Sequence, residues 1–530
     1  MRYTTFAAID VGSHEVSMKI FEISKKNGIK LLDYVHHTTL LGLETYSTGR
    51  IGYPSLDKLC NILNQFKEKF KEYGVEDYSI AGTSAIREAS NNIIFIDQVK
   101  KRTGFTIKIL SNSEQRFLCY KSIALTENEF HKLIKKGTLL VDVSGGSMQL
   151  SLFDKSRLIT TQNIKLGSLR IQEALNSMES RTDNYKNLVH EYIFNDIHSF
   201  SKHYLKNYDI KNIIAVGNQL SSFIKYLSTH NFGNVMPNDA RISKKESITK
   251  KEYKEFYETI SATSTRKLMY ELDTSYEQAS LLLPTSMIYQ TIFSETQADN
   301  MWLSDITLSD GMAAEYAEDK LGFIPAHSFN DDILTTARNL ADRYECNNHH
   351  SANVEENSLK IFDFLSRDNS FHSKDRLLLQ ISEILHNCGS YINMNEIGEN
   401  SYKIVMSSEI IGLSHKERMI VAYVVRYNNS TFPGYTETES FLSKNDYIRI
   451  AKLSAILNLA DSMDKSHKQK FKDINIEIRD GKLYIIGDTL EDITLEQGFF
   501  NMRASFFEEV YGMKPELRQK KTYKINEEND

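Results

Sequence analysis

The chain has 530 residues, enough for three or four cores at roughly 150 residues per domain. Its 41% hydrophobic and 25% charged residues fit an ordinary globular protein and exclude a fibre or wholesale disorder, while only 6 prolines exclude a Pro-rich linker architecture. The 64 basic and 70 acidic side chains leave a net charge of −6, so no general nucleic-acid-coating surface is expected, although one local pocket can still hold a polyanion.

Cys60, Cys119, Cys346 and Cys388 are scattered with no CxxC pair, which argues against a disulfide scaffold or a thiolate zinc site and for a reducing compartment. The N-terminus reaches Asp10 before an apolar run of signal-peptide length accumulates, and 18 apolar residues nowhere follow one another. A cytoplasmic protein without a membrane partner is expected.

In chain order, residues 4–9 form a short apolar strand broken by Asp10 and Gly12, Val16 to Ile23 alternate as a second strand, and Ile29 to Val35 form a third. Leu56, Leu59, Ile62, Leu63, Phe66 and Phe70 have helical spacing, and Tyr78 to Ala81 is a brief strand leading into TSAIREASN. A strand at Thr106 to Leu110, a helix at Ser113 to Leu125 and a strand at Thr138 to Val143 continue an α/β layout. The stretches AAIDVGSHEVSMKIF and LLVDVSGGSMQLSLF share one pattern of apolar strand, Asp-Val, small-residue turn and second strand, which marks a duplication. The first half is expected over residues 1–125 and the second over 126–325, with a strand at Ile213 to Val216, a turn at Gly217 to Gln219 and Leu308 to Leu321 as its closing helix.

Beyond Pro325 the pattern becomes successive amphipathic helices, giving a helical domain over 326–470. Residues 471–530 read as a hairpin with an Asp480-Gly481 turn, a helix near 491–511 and a polar tail, INEEND.

A glycine- and serine-bearing turn between two strands can present backbone N–H groups to phosphate oxygens. Two such turns facing each other would clamp phosphate, and the carboxylates at their openings, Asp10 and Asp142, suggest a divalent cation between carboxylate and ligand. The plain alternative is two ordinary hairpins whose Asp residues satisfy turn amides.

These motifs resemble the exopolyphosphatase and guanosine pentaphosphate phosphohydrolase (Ppx/GppA) family, within the superfamily of actin, sugar kinases and Hsp70. Its first loop, DxGSNS, is met by Asp10, Gly12 and Ser13, with His14 and Glu15 departing. Its second, DIGGGSTE, is met by Asp142, Gly145, Gly146 and Ser147, with Ser144, Met148 and Gln149 departing. The TSALREA element appears from Thr83 to Ala89, the LGxxR element as Leu166, Gly167 and Arg170, and a later glycine turn as Gly217. The resemblance implies duplicated ribonuclease-H-like halves, Mg²⁺ at Asp10 and Asp142, and phosphate contacts from Gly12, Ser13, Ser84, Arg87, Gly145, Gly146, Ser147, Arg170 and Gly217. Arg87 suits phosphate by its guanidinium fork, or alternatively pairs with Glu88 or Glu114; Arg170 can equally well solvate a helix surface.

At SNSEQRFLCY the family's catalytic glutamate falls on Gln115, whose amide cannot take a proton from water. Glu114 is adjacent but points about 100° away on a helix. The family likeness therefore implies two readings. One is a phosphohydrolase acting on polyphosphate or guanosine pentaphosphate, with Gln115 or Glu114 placing the water; the other is a non-catalytic sensor of polyphosphate or guanosine penta-/tetraphosphate. A homodimer is implied and a sequence-specific nucleic-acid partner is not. The helical region resembles an HD-type domain: His350, His386 and Asp461 occupy ligand positions, but Asn387, Asn400 and Asn428 stand where other ligands belong, so no transition metal is expected there.

Overall fold

The computed structural model describes residues 3–126, 129–179, 181, 184–217, 224, 226–227, 247–323, 329–367 and 371–520. The chain forms two compact units that divide between Phe329 and Asn330. Pro325, Asn218, Gln219 and the INEEND tail lie outside the described residues.

The first unit holds two sheets of matching topology. In the first, β1 (Thr4–Val11), β2 (Glu15–Ser24), β3 (Gly28–Thr38), β4 (Asp77–Gly82) and β5 (Lys108–Ile109) are ordered β3-β2-β1-β4-β5. The second contains β6 (Gly137–Val143), β7 (Met148–Asp154), β8 (Arg157–Ile164), β9 (Ile210–Val216), β10 (Ser247–Thr249) and β11 (Asn300–Leu303), ordered β10-β11-β9-β6-β7-β8. In each sheet an antiparallel hairpin is followed by a parallel neighbour: β1 pairs β2 and then β4, as β6 pairs β7 and then β9. The repeat legible in the sequence is thus a repeat of structure.

Alternation along β1 sends side chains to two cores. Ala7, Ile9 and Val11 pack with Leu59, Leu63 and Phe66 of the helix Tyr53–Tyr73. Phe6 and Ala8 face the opposite core, with Leu118 of the helix Asn112–Thr126 and Leu308, Met312 and Ala313 of the helix Leu308–Leu321. The expectation that Leu308–Leu321 closes the second half is therefore corrected: this helix returns to the first sheet. Its Gly311 is the close-approach residue, since a Cβ there would lie 2.3 Å from the Leu118 carbonyl oxygen. Lys19 on β2 fixes the helix start through an ion pair of 2.6 Å to Asp310.

The second unit runs through the helices Asn348–Leu365, Asp375–Leu385, Ile397–Ser407, His415–Asn428 and Lys444–Met463. The expected hairpin follows as β12 (Ile474–Arg479) and β13 (Lys482–Asp488), with Asp480 and Gly481 both at positive φ as a two-residue primed turn requires. The expected separation at residue 470 is not observed. The helix Thr494–Tyr511 packs on Lys444–Met463, with the Tyr511 hydroxyl donating to the Lys452 carbonyl at 3.0 Å, and a further strand, β14 (Lys514–Lys520), pairs in parallel with β13.

Glu383 is completely buried on the helix Asp375–Leu385. Burial pushes its carboxyl well above the ordinary range; Ser358 and Arg376 oppose the shift and Glu355 reinforces it. A carboxyl held protonated in the fold but ionised in the unfolded chain contributes most below its unfolded value, and that contribution is lost as pH rises toward the folded value. Glu383→Gln is therefore expected to raise the melting temperature at neutral pH and to flatten its decline between pH 5 and 8, measured by calorimetry across that range.

Candidate active site

The two hairpins place their turns at equivalent registers. On β1 and β2, Asp10 opposes Ser17 and Val11 opposes Val16; on β6 and β7, Asp142 opposes Gln149 and Val143 opposes Met148. Each turn closes by one matching bond, Gly12 N–H to the Glu15 carbonyl at 2.9 Å and Ser144 N–H to the Ser147 carbonyl at 3.0 Å. The turns face one another: a Cβ on Gly145 would lie 3.5 Å from the Ser13 Cβ and 3.6 Å from the His14 Cβ. Between them opens a cleft lined by Asp10, Gly12, Ser13 and His14 from the first turn and by Asp142, Ser144 and Gly145 from the second. Gly217, Gln115, Thr83, Glu15, Cys119 and Thr307 also line it, together with Leu308 at the start of the returning helix.

A hydroxyl cluster braces the first turn. The Ser13 hydroxyl lies 2.6 Å from the Tyr46 hydroxyl and 2.8 Å from that of Ser84, which are 3.0 Å apart. Gly146 lies over this cluster, so close that a Cβ would come 2.0 Å from the Tyr46 oxygen. Arg170 holds the second turn from the other side. Its backbone N–H donates to the Gly145 carbonyl at 3.0 Å, its Nε to the Gly146 carbonyl at 2.8 Å, and its Nη2 to both Glu88 carboxylate oxygens at 2.9 and 2.7 Å. Its guanidinium also lies 3.9 Å from the Tyr46 ring centroid.

The candidate residues therefore separate. Asp10, Gly12, Ser13, Asp142, Gly145, Gly217 and Gln115 line the cleft, while Ser84, Gly146, Ser147 and Arg170 belong to the turns and their bracing. Arg87 does not line it: Nη1 donates to the Leu110 carbonyl at 2.7 Å and Nη2 to Asn112 Oδ1 at 2.5 Å. Glu114 is likewise corrected as a water-placing group. Ser111 Oγ accepts from the Glu114 N–H and Glu114 Oε2 accepts from the Ser111 N–H at 2.9 Å, a capping box that turns the carboxylate to the helix end, where Oε1 meets Lys108 at 3.2 Å. Tyr46, Thr83, His14 and Leu308 were not singled out as site residues from the sequence; only Thr83 and His14 stood inside motifs that could have flagged them.

Electrostatically, the cleft brings two buried carboxylates together. Burial, with Asp10 nearby, pushes the Asp142 carboxyl up to about 7, against an opposing effect of Arg116. Two buried carboxylates that resist joint ionisation offer hard oxygen donors of the kind Mg²⁺ takes, so the residues fit such an ion. Burial likewise holds His14 down to about 4, opposed by Glu277 and reinforced by His36.

A second cluster lies in the helical unit, where donor atoms of His350, His386 and Asp461 approach within 4.8 Å of one another. Two imidazoles and a carboxylate suit a first-row metal in kind. His350 reaches Asp464 at 2.8 Å through Nδ1, an outer bond that also orients metal-ligating imidazoles, and faces Asp461 at 3.2 Å through Nε2, while His386 Nε2 lies 2.7 Å from the Asn387 amide nitrogen. Burial works against a charge on His350, but the two carboxylates outweigh it and push its pKa up to about 9.

Two facing glycine turns, each rooted at a buried aspartate in duplicated sheets, define the actin-like fold class. The chain belongs to the Ppx/GppA phosphatase family, whose model matches residues 20–319, and the family's domain III matches residues 334–498. Among curated relatives, a guanosine-5'-triphosphate,3'-diphosphate pyrophosphatase of Aliivibrio fischeri is 21% identical over 487 residues, covering 89% of this chain and 91% of the relative. Its counterpart in Photobacterium profundum is 20% identical over 85% and 86% of the two chains. A solved exopolyphosphatase of Cytophaga hutchinsonii has the same fold, with a TM-score of 0.50 and 16% identity over 59% of this chain and 97% of that one.

Gly217 has φ +116, and a Cβ there would lie 2.6 Å from Asp142 Oδ1. Gly217→Ala is expected to lower the melting temperature by several degrees through both backbone strain and the clash with Asp142. By contrast, Gly498→Ala, in the helix Thr494–Tyr511 with nothing within 4 Å of an added Cβ, should leave it unchanged or raise it. Thermal melts of the two variants check the contrast.

Proposed function

We propose that the cleft binds the terminal phosphates of guanosine pentaphosphate or polyphosphate with Mg²⁺ and hydrolyses the terminal anhydride. The observation that carries this reading is the pair of facing turns with Asp10 and Asp142 at their roots. The curated relatives named for guanosine pentaphosphate breakdown span nearly the whole chain, which supports the nucleotide as substrate. Asp10 and Asp142 would hold the cation, which when bound supplies neutralisation of phosphate charge. Backbone N–H groups around Gly12 and Gly145 to Ser147 cradle phosphate oxygens, and the Gln115 amide orients the attacking water, a role an amide performs in some GTPases. Arg170 and Arg87 act through the loops they hold.

The second reading, a sensor that binds without consuming, is favoured by Gln115 and Gln149 at positions where the family carries carboxylates. Phosphate release from each ligand with Mg²⁺, set beside calorimetric binding, separates the two. Gln115→Glu should raise release about ten-fold, a modest part of the roughly 10²–10⁴ that general-base catalysis supplies. Should a briskly active wild type be left unchanged or slowed by this substitution, position 115 does not activate water.

We also propose that the helical unit, HD-like in its ligand positions, carries no tightly held transition metal, because Asn387, Asn400 and Asn428 stand at expected ligands. Elemental analysis of protein purified without chelator should find less than stoichiometric iron, manganese or zinc; stoichiometric metal that disappears in His386→Ala would refute this. A homodimer and a cytoplasmic location complete the proposal. Among the described residues no helix is long and apolar enough to cross a membrane, and the buried Cys346 and Cys388 bring their Sγ atoms within 3.1 Å of each other.

A further inference from the structure

Cys346 and Cys388 lie 42 positions apart in the helical unit, both buried, with their Sγ atoms 3.1 Å from each other. Each sulfur is held in place by a turn of its own. The helix Phe329–Arg343 ends in a Schellman-type turn with Glu345 at φ +50, where the chain folds back and the Cys346 N–H donates to the Ala341 carbonyl at 3.0 Å. Cys388 opens the short turn Cys388–Tyr391, in which the Gly389 N–H donates to Ser401 Oγ at 2.8 Å and that hydroxyl donates to the His386 carbonyl at 3.0 Å. The Tyr344 and Tyr391 rings meet edge to face beside the pair, 5.8 Å between centroids. Two segments positioned independently thus bring two sulfurs to one point, about 1 Å beyond the ~2.05 Å length of a disulfide bond. Cys60 and Cys119, by contrast, sit in two different cores of the first unit.

We propose that Cys346 and Cys388 form a reversible modification site, a dithiol that hydrogen peroxide oxidises to an intramolecular disulfide. The bond ties the start of the helix Asn348–Leu365, where Asn347 Oδ1 accepts from the His350 N–H at 3.2 Å, to the turn that follows the helix Asp375–Leu385. Cys346 is the point of entry: it is 8% exposed and flanked by the exposed Glu345 and Asn347, whereas Cys388 is fully covered. The hydrogen bond from Cys388 holds the Cys346 thiol below the ordinary range, against the opposing effect of burial, which favours the thiolate that attacks. The Cys346 sulfur bonds to one peroxide oxygen, the O–O bond breaks, and the departing hydroxide takes up the Cys346 proton as water. The Cys388 sulfur then bonds to the sulfenic sulfur of Cys346, the S–O bond breaks, and a second water leaves with the Cys388 proton. The two sulfurs together lose two electrons and the peroxide gains them. In a reducing compartment the dithiol is the resting form, and a thiol reductant reverses the bond by exchange.

The test treats the full, reduced chain with hydrogen peroxide, removes the peroxide, alkylates free thiols in denaturant and maps the peptides by mass without reductant. The expected result is one linked pair of peptides carrying Cys346 and Cys388, two hydrogens lighter than their sum, in chains that run as monomers, with Cys60 and Cys119 alkylated. A thiol reductant should return all four cysteines to the alkylated form. Oxidation closes a loop of 42 positions and should raise the melting temperature by several degrees, a shift absent from Cys346→Ala. The mapping is made on the wild type, so its result does not depend on a variant folding. Four alkylated cysteines, under conditions that oxidise free cysteine in solution, overturn the proposal. So does sulfinic or sulfonic acid at Cys346 with Cys388 still free, or a link found only between two chains. A bond that forms within the chain and leaves the melting temperature unmoved overturns the tying of the two segments.

Discussion

The constraint on which the first unit depends is the burial of two carboxylates at the ends of two central strands. Asp10 and Asp142 each sit where an antiparallel hairpin and a parallel neighbour meet, walled by apolar residues on both faces of the strand. Ionising both there without a counter-charge is unfavourable, as the upward shift of Asp142 indicates. Such a cost persists in a fold when a ligand or cation offsets it during function. The neighbouring geometry follows from this: position 217 must be glycine because any side chain would strike Asp142, and Thr83 takes the equivalent place after β4, donating from its N–H to the Val11 carbonyl at 3.2 Å.

Around those carboxylates, the turns are held rigid by groups outside the cleft. The hydroxyls of Ser13, Tyr46 and Ser84 fix the first turn, and the Arg170 guanidinium fixes the second while stacking on the same Tyr46 and pairing with Glu88. Arg170 thus joins the two halves of the unit through one side chain. An arginine engaged in this way offsets the carboxylate of Glu88 beside the turns.

What could be read from sequence was local. The strand, Asp-Val, small turn and strand pattern occurs within fifteen residues, so the duplication and the facing turns were legible from composition and order alone. The destination of Leu308–Leu321 was not, because it depends on Phe6, Ala8 and Leu118, nearly two hundred residues or more upstream. The distinction between Glu114 and Gln115 turned on the reciprocal bond with Ser111: an S-x-x-E pattern was present in the sequence, but its capping role competed with a catalytic alignment one residue away. Arg170 looked like either a phosphate ligand or a surface residue, and its partner Glu88 lies 82 positions off. Strand β14, KPELRQK, has the lysine-rich polar character of an edge strand and none of the apolar alternation that marks a strand in sequence.

The amides at positions 115 and 149 follow the same electrostatic logic as the aspartates. A cleft that already buries Asp10 and Asp142 must admit a ligand with several negative charges, and each further carboxylate would repel both. Unit charges about 4 Å apart interact by about 4 kcal/mol at the effective dielectric of a protein surface, so an amide in place of a carboxylate at the cleft-lining position 115 eases entry of a polyanion. The same exchange removes the groups that would take a proton from water. In this chain, affinity for a phosphate chain and activation of water therefore pull against each other at the same positions.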